Sequence, residues 1–387
     1  MRRVGLSPST IQSVVTQWFD HGATSVASLP SGLSGACLYR VSPIDGAAAG
    51  SSEASADVVI KAEPVRTRRE RPVNPADALP ANAMPADAMP VDVMPADAMI
   101  EQASRYCALL TPPRRTRGGQ IDVYQEGFRF RCFDFRDGSP LDRFAGREDL
   151  GAAAKGLASA HVAMAKVIPA GTIPQKGSSA SFRSPTVASR LRRLDSLDRI
   201  SSVAASTQHL PEPLATSVGQ AQLALREVQN RRRVDDIRGL LRQFDRMIEQ
   251  PQWILRDIHR EHVLIDRDCK QVVAILDHDA ATVDDPAVDL ARFAGGFSIN
   301  LEITDSFAAG DTSRLGERLA TVAAEYRLIR PFSQQQEAFA VQLMLSGWLG
   351  SLANWVDWLG FQRRQFAWSA SRLSLRIDEL VECVRQI

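Results

Sequence analysis

The spacing of apolar positions changes character along the chain, and the changes mark its elements. Across residues 8–20, Ile11, Val14, Val15 and Trp18 recur at helical spacing, which predicts a short amphipathic helix. The stretch "LPSGLSGACLYRVSP" then sets two short apolar runs around Gly and Ser, the pattern of a hairpin. "GAAAGSSEASAD" reads as a flexible link, and "DVVIKAEP" as a β-branched strand that carries one Lys and ends at Pro64. "IEQASRYCALL" returns to helical spacing through Ile100, Ala103, Cys107 and Leu110. "IDVYQEGFRFRCFDF" predicts two strands around Glu126-Gly127, and "RDGSPLD" a turn leading into helices. From about residue 140 helical patterns dominate, with one exception. There "HVLID", the turn "RDCK" and "QVVAILD" predict a β-hairpin. The expected architecture is α+β and two-lobed. A small β-rich N-terminal lobe, 1–135, precedes a larger mainly helical C-terminal lobe, 136–387.

One segment fits neither period. From Asn74 to Met99 the chain repeats every five residues, with Pro at 75, 80, 85, 90 and 95. Each Pro removes a backbone donor and disfavours helix in the residue before it. A five-residue period matches neither a strand nor a helix, so no face can be buried. The expectation is a disordered or loosely extended insertion at about 74–99.

Composition narrows the class. The chain has 387 residues, 44% of them hydrophobic and 24% charged, in the ordinary range of a soluble globular protein of two lobes. A formal net charge of +1 gives no field that would recruit nucleic acid or an anionic membrane. Five scattered Cys without a CxxC pair point to reduced thiols and a cytoplasmic setting. The opening residues lack the apolar core of a secretory signal. The most apolar run, Phe339 to Val356, contains Gln342, Ser346 and Asn354 and reads as a buried helix. Trp348, Trp355 and Trp358 recur there at helical spacing, as core residues do.

The candidate chemistry is concentrated in "ILRDIHREHVLIDRDCKQVVAILDHD", Ile254 to Asp279, which holds three of the six His. Asp266 and Asp268 suit a turn, where Asp bonds nearby backbone amides. Asp257 precedes the first strand of the hairpin and Asp277 ends the second, so the hairpin should bring them together. Two neighbouring carboxylates call for a cation or a proton between them, and Mg²⁺ shared with substrate phosphates is one answer. A second is zinc held by the His259/His262 cluster, as in a zinc-dependent hydrolase.

The spacing of these residues also resembles a known family. "LRDIHREHVLID" is similar to the catalytic loop of protein-kinase-like enzymes, above all the aminoglycoside phosphotransferase and choline-kinase-like branch. Asp257, His259, Val263 and Leu264 match its loop pattern. In "LDHDAATVDDPAVDLA", Asp277, Asp285, Pro286, Asp289, Leu290 and Ala291 match the segment that follows. "LASAHVAM" resembles the helix before the loop. The resemblance spans about residues 25–300 and implies a protein-kinase-like fold and transfer of a phosphoryl group from ATP to a hydroxyl of a small molecule. Aminoglycoside, choline or sugar-type acceptors are expected. Asp257 would orient that hydroxyl and take its proton, and Asp277, with His262, would hold Mg²⁺ or, alternatively, Mn²⁺. Gly32, Ser34 and Gly35 would cover the phosphates and Lys61 would contact them, with Glu101 as its acidic partner. Backbone groups from Phe133 to Phe135 would bind the base. His259 and Asp289 would support the loop.

Three departures from the family pattern bear on function. His262 stands where the family has Asn, exchanging an oxygen ligand for a nitrogen that suits softer ions. Leu255-Arg256 replaces His-Gly before the catalytic Asp, and Asp277 lies twenty residues after Asp257, a longer hairpin than expected. These keep open a non-catalytic, pseudokinase-like nucleotide-binding module. Asp285-Pro286 follows Asp277 within eight residues, which leaves no room for the activation segment of a protein kinase and points to a small-molecule acceptor. "SPTVASRLRRLDSLDRI" and the Trp-rich run are expected to wall its pocket.

Overall fold

The computed structural model describes residues 6–20, 23–29, 36–43, 57–65, 94–142, 145–167, 182–248, 250–296, 313–366 and 368–387. The chain divides into two compact units, Met1–Pro80 with Thr111–Asp137, and Ala81–Leu110 with Gly138–Ile387. Sequence alone suggested a single cut near residue 135. The chain instead visits the second unit between its third and fourth strands.

The first unit is a five-stranded antiparallel sheet under one helix. Helix α1, Pro8–Val15, begins where Ser7 Oγ accepts from the Thr10 amide at 3.1 Å and Pro8 presets the first turn. Its apolar stripe, Ile11, Val14 and Val15, is fully buried, as its spacing predicted. The strands are β1 Ala23–Leu29, β2 Cys37–Pro43, β3 Val58–Pro64, β4 Val123–Gln125 and β5 Phe128–Asp134, ordered β1-β2-β3-β5-β4. Alternation on β3 sends Val58, Ile60 and Ala62 to the core and leaves Lys61 on the other face. Glu126 and Gly127 both have positive φ, 50° and 77°, which suits the two-residue turn joining β4 to β5.

The second unit is mainly helical. Helix α2, Ala96–Ser104, begins inside the last unit of the five-residue repeat. This corrects the expectation for residues 96–99. Pro95 precedes the helix, where no amide is missed, and no further Pro follows in it, so Met99, Ile100 and Ala103 can be buried together. The rest of the repeat, 74–93, lies outside the described residues. The helix also stops before Cys107 and Leu110, and Leu110 instead bridges Ile275.

After α2 come β6 Ser139–Pro140, α3 Arg147–Ala165, α4 Pro185–Ser202, α5 Leu214–Asn230 and α6 Arg233–Asp245. Next are β7 Gln252–Ile254, β8 Val263–Asp266, β9 Gln271–Ile275, β10 Thr282–Asp284 and α7 Ala287–Ala294. Three helices close the chain: α8 Ser313–Arg327, α9 Gln334–Val356 and α10 Ala370–Arg385. The β8–β9 hairpin forms as its alternation predicted, and Asp266 Oδ1 closes its turn by accepting from the amides of Asp268 and Cys269. Strands β6, β7 and β10 are additions to the sequence reading. Two or three residues are too few to show a period, and β10 pairs β7 across the intervening loop and hairpin, with Thr282 opposite Ile254. Trp348 and Trp355 of α9 are buried in the core, as expected. Among the described residues no helix is long and apolar enough to cross a membrane.

Candidate active site

The stretch singled out in the sequence is held by a column of buried polar groups. Asp289, on the first turn of α7, has no exposed surface. Its Oδ2 accepts from the Leu255 amide at 2.7 Å and its Oδ1 from the Arg256 amide at 2.6 Å. Arg256 has φ 65°, a left-handed conformation that is costly for a residue with a Cβ. The two accepted amides hold the loop in that turn and so aim Asp257. Behind Asp289 stands His161 of α3, whose Nε2 lies 2.9 Å from Oδ2. Its Nδ1 lies 2.8 Å from the Tyr326 hydroxyl on α8. Both rings are fully buried, so each polar atom must find its partner within the column.

Asp257 is half-buried. Its Oδ1 lies 3.2 Å from His259 Nε2 and forms an ion pair with the Arg292 guanidinium. Arg292 Nη2 also lies 2.9 Å from His259 Nε2, so the three groups share one knot. Burial alone would raise the Asp257 carboxyl, but His259 and Arg292 hold it well below the usual carboxylate range. Burial, with Arg292 alongside, pushes the His259 imidazole down to about 4, so it is neutral at pH 7. His259 therefore does more than pack under the loop. Every partner of the Asp257 carboxyl among the described residues falls on Oδ1, which leaves Oδ2 for a ligand.

His262 spans the two acidic positions. Its Nδ1 lies 2.9 Å from the Asp257 carbonyl oxygen, which can only accept, so Nδ1 carries the proton. That leaves Nε2 facing Asp277, 3.7 Å from Oδ2. Asp277 is exposed and left-handed, with φ 60°. His262 touches the Asp257 backbone and the Asp277 carboxyl, and its own carbonyl accepts the Leu276 amide at 2.7 Å. An imidazole fixed by a backbone carbonyl beside an exposed carboxylate fits a divalent ion that draws its other ligands from phosphates and water.

A protein-only zinc site is not built here. Among the described residues no three His, Cys, Asp or Glu gather to hold a metal. His259 Nε2 faces a guanidinium, and His278 is buried with its Nε2 unpartnered.

The first unit carries the remaining sequence candidates. Lys61 Nζ pairs with Glu63 Oε1 at 3.1 Å, two residues along the same strand face. Phe133 lies on β5 opposite Val59, and the Phe135 amide donates to the Asp57 carbonyl at 3.0 Å. Gly32, Ser34 and Gly35 lie outside the described residues. Glu101 is half-buried on α2, in the second unit.

Several contributors escaped the sequence reading. Arg292 sits in "DLARFA", inside the matched segment, but no pattern separates it from a surface Arg. Asp284, fully buried, accepts from Ser184 Oγ at 2.9 Å and the Thr186 amide at 3.1 Å, which ties the start of α4 to β10.

The family model described as "Phosphotransferase enzyme family" matches residues 107–332. No curated protein matches the chain. Among solved structures, the spectinomycin phosphotransferase APH(9)-Ia in complex with ADP and spectinomycin is 10% identical, with 99% of each chain covered and a TM-score of 0.59. An amicoumacin kinase in complex with AMP-PNP, Ca²⁺ and its antibiotic is 10% identical, covering 98% of this chain and 93% of that one, at 0.56. A microcompartment-associated aminopropanol kinase is 15% identical, covering 98% and 96%, at 0.52. At such identities the likeness is one of fold.

Proposed function

This chain belongs to the phosphotransferase enzyme family, and from that premise we propose that it transfers the γ-phosphate of ATP to a hydroxyl of a small molecule in the cytoplasm. The observation that carries the reading is the buried column from Tyr326 through His161 to Asp289. It fixes the loop backbone and presents Asp257 Oδ2 without a partner among the described residues. ATP supplies the transferable group when bound. Asp257 receives the acceptor hydroxyl as a hydrogen bond and orients it. Its low proton affinity suits positioning more than early deprotonation, and phosphoryl transfer asks for little base strength before the transition state. Asp277 and His262 Nε2 would hold the divalent ion, and Lys61 is assigned to the phosphates, with Glu101 as its acidic partner. Phe133 and Phe135 are assigned to the base, and Gly32, Ser34 and Gly35 to the phosphate cover.

The knot of Arg292 and His259 on Asp257 favours one second reading, a module that binds nucleotide without turnover. The first test is a thermal-shift panel of ATP and GTP with Mg²⁺, Mn²⁺ or no metal, on wild type and Asp277→Ala. A ligand specific to the folded state raises the melting temperature by mass action. The expected result is a metal-dependent ATP shift that Asp277→Ala abolishes. A shift indifferent to metal supports the second reading, and no shift with either nucleotide overturns both.

A further inference from the structure

The charge around Asp257 goes one step beyond this reading and rests on it. Arg190 and Arg193 stand three residues apart on α4, neighbours on the helix surface. Each has Arg256, Arg292 and Asp257 among its charged neighbours. Gly347 and Gly350 of α9 lie beneath them. A Cβ at Gly347 would stand 3.4 Å from Arg190 Nη2, and one at Gly350 would stand 3.4 Å from Arg193 Cδ and 3.9 Å from Arg190 Nη1.

Arg190 and Arg193 are the two members without a paired carboxylate among the described residues. Arg190 Nε is buried without a hydrogen-bond partner. Among the described residues the Arg190 and Arg193 side chains have no ion pair. Asp257 is shared with Arg292 and His259. Asp284 accepts from the start of α4, and its charge acts on Arg256. Burial, then the repulsion of its neighbours, pushes the Arg190 guanidinium down to about 9. An apoprotein that gathers like charges bears a cost which a bound anion offsets. A cationic acceptor would add to it.

We propose that the acceptor carries an anionic group, a carboxylate or a phosphate, which Arg190 and Arg193 bind over Gly347 and Gly350 while its hydroxyl meets Asp257 Oδ2. Planar guanidinium groups suit both anions, because each offers paired donors. In the reaction the acceptor oxygen bonds to the γ-phosphorus as the bond to the bridging oxygen breaks. ADP leaves with that electron pair, and the hydroxyl proton passes through Asp257 to solvent.

The test uses the full chain saturated with Mg²⁺ and ADP, so that an anion cannot simply fill the nucleotide's place. Glycerate, glycerol 3-phosphate, glycerol and ethanolamine are titrated by thermal shift, and nucleotide binding is recorded separately. Glycerate and glycerol 3-phosphate should raise the melting temperature, whichever binds more tightly naming the anion, and glycerol and ethanolamine should not. Arg190→Gln should weaken the better anion at least tenfold while its ADP shift stays that of wild type. If Arg190→Gln does not fold, Arg193→Gln carries the same expectation. No shift with either anion, an equal shift with ethanolamine, or an anion shift that survives both substitutions overturns the proposal. A failed nucleotide shift strikes the phosphotransferase reading instead, so the two failures are told apart.

Discussion

His161 Nε2 meets Asp289 Oδ2 at 2.9 Å with both side chains wholly buried, and through Asp289 this contact reaches the backbone of Leu255 and Arg256. Helices α3 and α7 are thus coupled to the turn that presents Asp257. The contact lies where water cannot replace a missing partner, so changing any member leaves an unsatisfied group. Such a group costs about 1–3 kcal/mol.

Asp289→Asn keeps the shape but has one carbonyl oxygen where two carboxylate oxygens accepted the loop amides. Urea unfolding should show a loss of about 1–3 kcal/mol, and turnover should fall more than nucleotide affinity does. Tyr326→Phe removes only the distal hydroxyl and should cost about 1 kcal/mol, with turnover little changed. Equal losses for the two variants would mean that the column does not act through Asp289.

Asp257→Asn tests the positioning role. It should lower kcat by about 10²–10⁴ and leave the nucleotide-induced thermal shift intact. Arg292→Gln should raise the proton affinity of Asp257, since the guanidinium helps to hold it down. The acid limb of the kcat profile should therefore move to higher pH.

His262→Asn replaces the nitrogen facing Asp277 with an amide oxygen. Oxygen ligands suit Mg²⁺, whereas imidazole suits Mn²⁺ better. The ratio of Mg²⁺- to Mn²⁺-supported activity should rise in the variant. An unchanged ratio would remove His262 from the metal's surroundings.

Asp285 gives a pH signature of stability away from the reacting groups. Burial pushes its carboxyl up from 3.8 to about 6, although it accepts from the Ala287 amide at 2.8 Å. The folded state therefore holds this proton more tightly than the unfolded chain does. Its stabilising effect is full below about 3.8 and is lost as pH rises through about 6. Asp285→Asn cannot ionise, so its advantage over wild type should grow across that window, by at most about 3 kcal/mol. Denaturant midpoints from pH 4 to pH 7 measure it. An advantage that does not grow with pH would contradict the assignment.

The sequence was most informative where side-chain period and motif spacing coincide. The alternation of "HVLID" and "QVVAILD" predicts β8 and β9, and the family resemblance pointed to Asp289, which accepts from the loop amides of Leu255 and Arg256. It was silent where contacts join distant segments without a local pattern. His161 and Tyr326 are 165 residues apart, and nothing in "AEYR" distinguishes a column-ending Tyr from a core aromatic. Arg190 and Arg193 were legible only as part of a pocket wall, because their meaning depends on Gly347 and Gly350 of another helix. The repeat misled over its last turn, where tertiary burial of Met99 outweighed the five-residue period.

The most direct measurement is phosphorus NMR of ATP incubated with wild type, a divalent metal and the anion-bearing acceptor panel, with Asp257→Asn run in parallel. The account predicts a new phosphate-ester resonance growing with ADP in wild type and slowed by two or more orders of magnitude in Asp257→Asn. ADP and inorganic phosphate without an ester, or an ester formed equally fast by Asp257→Asn, would contradict it.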